Sequence, residues 1–177
     1  MMTEQFDNQV IEIRRVSKVV KGGRNIGFRT TVVVGDREGQ VGVGSGNTNE
    51  IPKAIQQGIR DAQKHLITVP LVSGTIPHEV VGEFETGKVI LKPAYEGTGV
   101  IAGKTVGAIC KLVGIRNILT KSLGSSNPLT LAKATIEGLK RLRNVDEVAA
   151  LRNKDPEEIL GERPSETPSP QNTEDSA

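Results

Sequence analysis

A chain of 177 residues with 36% apolar and only 2% aromatic residues makes one large domain or two small ones from Val, Ile, Leu and Ala; two modest cores fit that supply better than one deep one. One cysteine excludes an intramolecular disulfide framework and fits a reducing compartment. A net charge of +2 hides a basic body, with 20 basic and 12 acidic groups in residues 1–145, and an acidic end, with three and nine in residues 146–177; a basic body points to a polyanionic partner.

The first nine residues, MMTEQFDNQ, are expected to be flexible and have neither signal-peptide nor transit-peptide character. No apolar run approaches the ~20 residues that span a bilayer, so no membrane partner is expected. Val10, Ile11, Ile13, Val16, Val19 and Val20 predict a strand over residues 10–20, which Gly22-Gly23 breaks. Further strands are predicted over 27–34 and 40–44, with a turn at Asp36–Gly39 between them. A helix opens at Glu50-Ile51-Pro52, with Ile51, Ile55, Ile59 and Leu66 recurring at helical spacing and Ala54 and Ala62 beside them. Residues 10–73 thus form a β-β-β-α unit, an α+β arrangement in which one helix covers one sheet face.

Pro70, Gly74 and Pro77 mark residues 68–78 as the connection to a second domain, 74–154. There a strand pair is predicted at 79–84 and 88–91 around Thr86-Gly87, then a helix over 105–113 and a strand over 115–121. A last helix is capped by Asn127, with Pro128 at its first position and Leu129, Ala132, Ile136 and Leu139 inward. Residues 155–177 are acidic, rich in Pro, Ser and Thr, and expected to be disordered apart from a turn near 156–160.

The densest positive charge lies in RRVSKVVKGGR, residues 14–24. Arg14, Arg15, Lys18, Lys21 and Arg24 are spaced so that no single strand or helix face collects them all, while Gly22 and Gly23 allow a tight turn against phosphates. Engaging three to five phosphates gives a salt slope of roughly −3 to −5. The competing reading is a solvated turn whose cations keep an edge strand soluble. Elsewhere, GVIAGKT at 99–105 falls one residue short of a nucleotide phosphate loop, and no apolar strand is expected to lead straight into it. GVGSG at 42–46 lacks the last glycine of a dinucleotide fingerprint and fits a strand end with a tight turn. His65, His78 and Cys110 form no metal or nucleophile pattern, and no acid–base pair can be named. Neither enzyme activity, cofactor, metal nor small-molecule substrate is therefore expected.

VSKVVKGGR (16–24), TVVVGDREGQVGVGSG (31–46), KPAYEGTGVIAG (92–103) and GIRNILTKSLGSSNP (114–128) together resemble the universal small-subunit ribosomal protein five family, bacterial and plastid type. EEILG at 157–161 is similar too. The resemblance implies an N-terminal double-stranded-RNA-binding-like domain and a C-terminal α/β domain whose fold is shared with some small-molecule kinases, without implying phosphoryl transfer. It implies rRNA contact by Arg14, Arg15, Ser17, Lys18, Lys21, Gly22, Gly23 and Arg24. It also implies a protein-facing accuracy region at Glu96, Gly97, Thr98, Gly99 and Gly103, towards ribosomal protein four, and association of residues 114–128 with protein eight. Protein three lies nearby, and mRNA passes at the entry channel, where such proteins help unwind it. The implied location is the ribosome-bound cytoplasm, or plastid stroma for a plastid-encoded copy. Lys104, Gly107 and Asn47 depart from the family's usual residues, Asn47 by removing one cation.

Overall fold

The structure is a computed structural model and describes residues 6–154. The acidic segment from 155 onward, with its expected disorder and turn, lies outside those residues, as do residues 1–5. The architecture is α+β. Among the described residues, eight strands and four helices follow in the order β1 (Asp7–Val20), β2 (Gly23–Gly35), β3 (Gln40–Thr48), α1 (Ile51–Lys64), β4 (Ile67–Thr68), β5 (Val80–Phe84), β6 (Gly87–Pro93), β7 (Val100–Ile101), α2 (Lys104–Val113), β8 (Ile118–Gly124), α3 (Pro128–Lys140) and α4 (Val145–Arg152). The first sheet is an antiparallel meander, β1-β2-β3-β4. The second has the order β5-β6-β8-β7, with β7 parallel to β8.

Several boundaries differ from the sequence expectation. Asp7, Asn8 and Gln9, expected in the flexible N-terminus, pair with Gly35, Val34 and Val33. The strand expected at 115–121 starts at Ile118 instead, because the Arg116 and Asn117 amides both donate to the Gly74 carbonyl and hold that stretch as a turn. Val100 and Ile101 form a short strand straight before α2, where none was expected.

Helix α1 meets the sheet through different residues from those its isoleucines predict. Its buried line is Ala54, Gly58 and Ala62, whereas Ile51 is exposed and Ile55 and Ile59 are half-buried. The reason is in β3. Gly42, Gly44 and Gly46 alternate along the face under α1, where a Cβ on any of them would collide with helix backbone. Small residues on both sides let the helix axis approach, and the isoleucines then flank the contact. GVGSG is therefore mid-strand, not a strand end.

The other face of the first sheet is not left to solvent. Val33 and Val41 join Ile109, Leu112, Val113, Leu91 and Leu139 in one continuous core, and only Val32, Val34 and Ala62 form a separate small cluster. One dominant core replaces the two expected. Helix α2 lies at its centre with every residue but Lys104 and Lys111 buried, the pattern of a helix covered on all sides. Residues up to Leu142 accordingly form one compact unit. The second unit contains α4, which the sequence reading does not anticipate. Asn144 caps it by accepting from the Val145 amide at 2.8 Å, with Asp146 and Glu147 in the first turn and Asn153 left-handed at the end.

Candidate nucleic-acid interface

Strands β1 and β2 pair from Asp7↔Gly35 to Val20↔Gly23, with one bulge at Ile11 and an unbroken register from Glu12↔Thr31 to the tip, whereas β3 pairs with β2 only from Phe28 onward. Residues 16–20 and 23–27 therefore extend as a two-stranded ribbon past the rest of the sheet. The basic segment is thus a hairpin, not a loop that follows a broken strand. Lys21 and Gly22 make its two-residue turn, and Gly23 takes φ 142°, a conformation that L side chains rarely adopt. Gly22 has no positive φ, and no heavy atom lies within 4 Å of where its Cβ would stand.

Pairing across the ribbon sets which cations share a face, because opposite residues in an antiparallel pair point the same way. Arg15, Ser17 and Val19 lie opposite Phe28, Ile26 and Arg24, so Arg15, Ser17 and Arg24 share one face. There they line a shallow notch of about 290 Å³ floored in part by Ile26. Arg14 and Lys18, opposite Arg29 and Asn25, occupy the other face. Arg29 thereby joins the basic set. Its place on a face follows only from the hairpin register.

Little negative charge opposes these groups. Arg14 Nε is 2.9 Å from Glu12 Oε1, an exposed pair of small energetic consequence. Among the described residues no ion pair engages Arg15, Lys18, Lys21 or Arg24. The ribbon also exposes apolar surface: Val19 is 72% accessible, and Ile13, Val20 and Ile26 are about 40% accessible. That interleaving exceeds what solubility of an edge strand would require.

The region from Glu96 to Gly103 is a separate site. Thr98 N–H donates to Tyr95 O, closing a turn with Gly97 at φ 89° and Gly99 at φ 75°. Gly99 is tied to β8, donating to Asn117 Oδ1 at 3.0 Å and accepting from the Ile118 amide. Glu96, Gly97 and Thr98 stand exposed beside Tyr95, which is 93% accessible. Gly103 precedes α2 and accepts from the Gly107 amide. Although β7 does lead into α2, only Ala102 and Gly103 separate them, too short a turn to wrap a phosphate chain.

Catalytic chemistry finds no support in the remaining candidates. Cys110 is buried, and desolvation pushes its thiol up to about 12, so no thiolate is available at neutral pH. His65 Nδ1 lies 2.8 Å from its own helix's Asp61 carbonyl. No group of three or more potential ligands among the described residues could hold a metal, and none of the described helices is long and apolar enough to cross a membrane.

These features define a class: an α+β protein that presents a protruding cationic β-ribbon. Residues 6–70 match the N-terminal domain of ribosomal protein S5, and residues 82–152 match its C-terminal domain. The small ribosomal subunit protein uS5 of Thermotoga neapolitana is 54% identical over 156 residues, spanning 88% of each chain. That of Thermotoga maritima is 53% identical over 89% of this chain and 88% of its own. That of Thermosipho africanus is 49% identical over 89% of both. The chain belongs to the ribosomal protein S5 family, as its four ordered motifs imply.

Proposed function

We propose that this chain anchors to small-subunit rRNA through the β1–β2 ribbon. As a member of the S5 family it is a structural constituent of the small ribosomal subunit and not an enzyme. In this reading Arg14, Arg15, Lys18, Lys21 and Arg24 neutralise phosphates, the Ser17 hydroxyl hydrogen-bonds the backbone, and Gly22 and Gly23 form the narrow tip. The observation that carries it is the extension of the ribbon past β3, with both faces cationic and no carboxylate on β2 or on β1 between Glu12 and the tip. Phosphate contacts of this kind position a protein and make its affinity salt-dependent.

The module division expected from sequence carries over into the same proposal: residues 10–73 face RNA and 74–154 face protein neighbours. The exposed turn at Glu96, Gly97 and Thr98, with Gly99 and Gly103 behind it, suits contact with ribosomal protein four and a part in decoding accuracy. Residues 114–128 would meet protein eight, and protein three and mRNA at the entry channel complete the neighbourhood. A ribosome-bound, cytoplasmic location follows from the proposal, and relatives from Thermotoga and Thermosipho lend no support to a plastid one.

The test is a titration of small-subunit rRNA with the full chain and with a Lys21→Ala/Arg24→Ala variant over a range of salt. Both side chains are exposed, so folding is unaffected. Loss of two phosphate contacts lowers the salt slope by about two. An unchanged slope would remove the ribbon as the anchor.

A further inference from the structure

At the end of the first sheet away from the ribbon tip lies an open cleft of about 500 Å³, lined by Arg37, Lys111 and Arg116 with Gln9 beside them. The three cations come from separate elements: the β2–β3 turn, the last turn of α2 and the α2–β8 connection. Their backbones are locked together. The Arg37 amide donates to the Leu112 carbonyl and the Gly39 amide to the Val113 carbonyl, both at 2.9 Å, while the Arg116 amide donates to the Gly74 carbonyl at 2.8 Å. A Cβ on Gly114 would collide with the Arg37 carbonyl, so the two connections approach as closely as a glycine permits. The Arg116 stem passes over Gly74, within 3.5 Å of where a Cβ would stand.

Among the described residues only one carboxylate answers this charge. Asp7 Oδ2 lies 2.7 Å from Arg37 Nε. Lys111 and Arg116 are exposed, and no described residue pairs with their charges. The apolar lining residues, Leu112 and Ile115, are themselves buried. A protein partner would be expected to seat a side-chain anchor in an apolar pocket, and none is offered. Fixed cations on long stems around a wide polar cleft suit a repeating anionic backbone instead.

We propose that this cleft is a second RNA contact, holding the phosphate backbone of an rRNA segment distinct from the one at the ribbon. It rests on the reading of the chain as an rRNA-bound protein and revises it in one respect: Lys111 and Arg116, in the module turned towards protein neighbours, face RNA instead. The 13 residues of β2 separate the two sites, which at ~3.3 Å per residue is roughly 40 Å. The protein then acts as a rigid strap: once one end is bound, the other meets its segment at high effective concentration, a useful property while rRNA is folding.

The experiment titrates small-subunit rRNA with the full chain, a Lys111→Ala/Arg116→Ala variant, the ribbon variant Lys21→Ala/Arg24→Ala, and the charge-keeping Lys111→Arg/Arg116→Lys. The cleft variant should lose roughly tenfold in affinity and about two in salt slope, with an unchanged thermal melt. It should lose hydroxyl-radical protection at one rRNA segment while the ribbon's segment stays protected. The charge-keeping variant should bind like the parent. Parent-like slope and footprint in the cleft variant would overturn the proposal. So would a defect seen only when other ribosomal proteins are present, since that assigns the cleft to an acidic protein segment. A silent ribbon variant beside an affected cleft variant would remove the ribbon reading and leave this one standing.

Discussion

Gly44 and Gly22 are both glycines of the first sheet and its hairpin, yet the structure demands only one of them. A Cβ on Gly44 would run into the backbone of α1 at Gly58 and Ala62, and the helix could yield only by lifting off β3. Gly44→Ala should therefore destabilise the chain by about 2–3 kcal/mol, the upper part of the usual range for overpacking a tight contact, seen as a lower urea midpoint. Gly22→Ala should stay within about 0.5 kcal/mol, because its Cβ meets nothing. Equal losses in the two variants would mean that helix approach is not what the β3 glycines serve. Cys110 gives a second residue-scale expectation. Burial raises its folded pKa to about 12 from an ordinary 9.0, so between those values the unfolded chain loses a proton that the folded chain keeps. Stability contributed by the neutral thiol is complete below pH 9 and declines as pH rises towards 12. The parent should thus lose more stability than Cys110→Ala between about pH 8 and pH 10.5 in paired thermal melts; parallel curves would show that the thiol titrates alike in both states.

At the scale of elements, the long regular pieces are legible in local pattern and the short or tertiary ones are not. The β-branched run of β1, the Pro at the start of α1 and the Asn127–Pro128 opening of α3 are local signals, and each marks an element of the structure. β7 has only Val100 and Ile101, and it exists by parallel pairing with β8, which no local pattern announces. α4 escapes a sequence reading for a different reason. Its cap, acidic first turn and terminal Arg152 are all visible in the chain, but they adjoin the acidic segment and merge with its charge. The ribbon shows the same division between local and tertiary information. Its cations and glycines are legible, whereas the continuous register to Val20↔Gly23 is not, so a two-faced hairpin reads as a strand followed by a loop. Helix α1 marks the limit of periodicity itself: isoleucines at helical spacing identify the helix but not its contact line, because glycines on β3 decide how near the helix comes.

For the molecule as a whole, the decisive feature is that helix α2 closes the first sheet as well as the second. The sheet face with Val33 and Val41 shares its core with Ile109, Leu112 and Val113. A Cβ on Gly35 would strike the Leu112 carbonyl, which also accepts the Arg37 amide. Two sequence modules are thereby made one mechanical body, which a strap between distant rRNA segments requires: if the modules hinged, each contact would bind without orienting the other. Unfolding of residues up to Leu142 should then be a single cooperative event. Leu112→Ala tests this from the middle of the shared core, where Leu112 is 5% exposed. Truncation there should cost about 2–5 kcal/mol. Native-state hydrogen exchange should show amides of β2 and β3 losing protection together with those of β6 and β8, by the same free energy. Loss confined to β6 and β8, with β2 and β3 unchanged, would mean that the two sheets open independently, and the rigid coupling between the ribbon and the distant cleft would go with it.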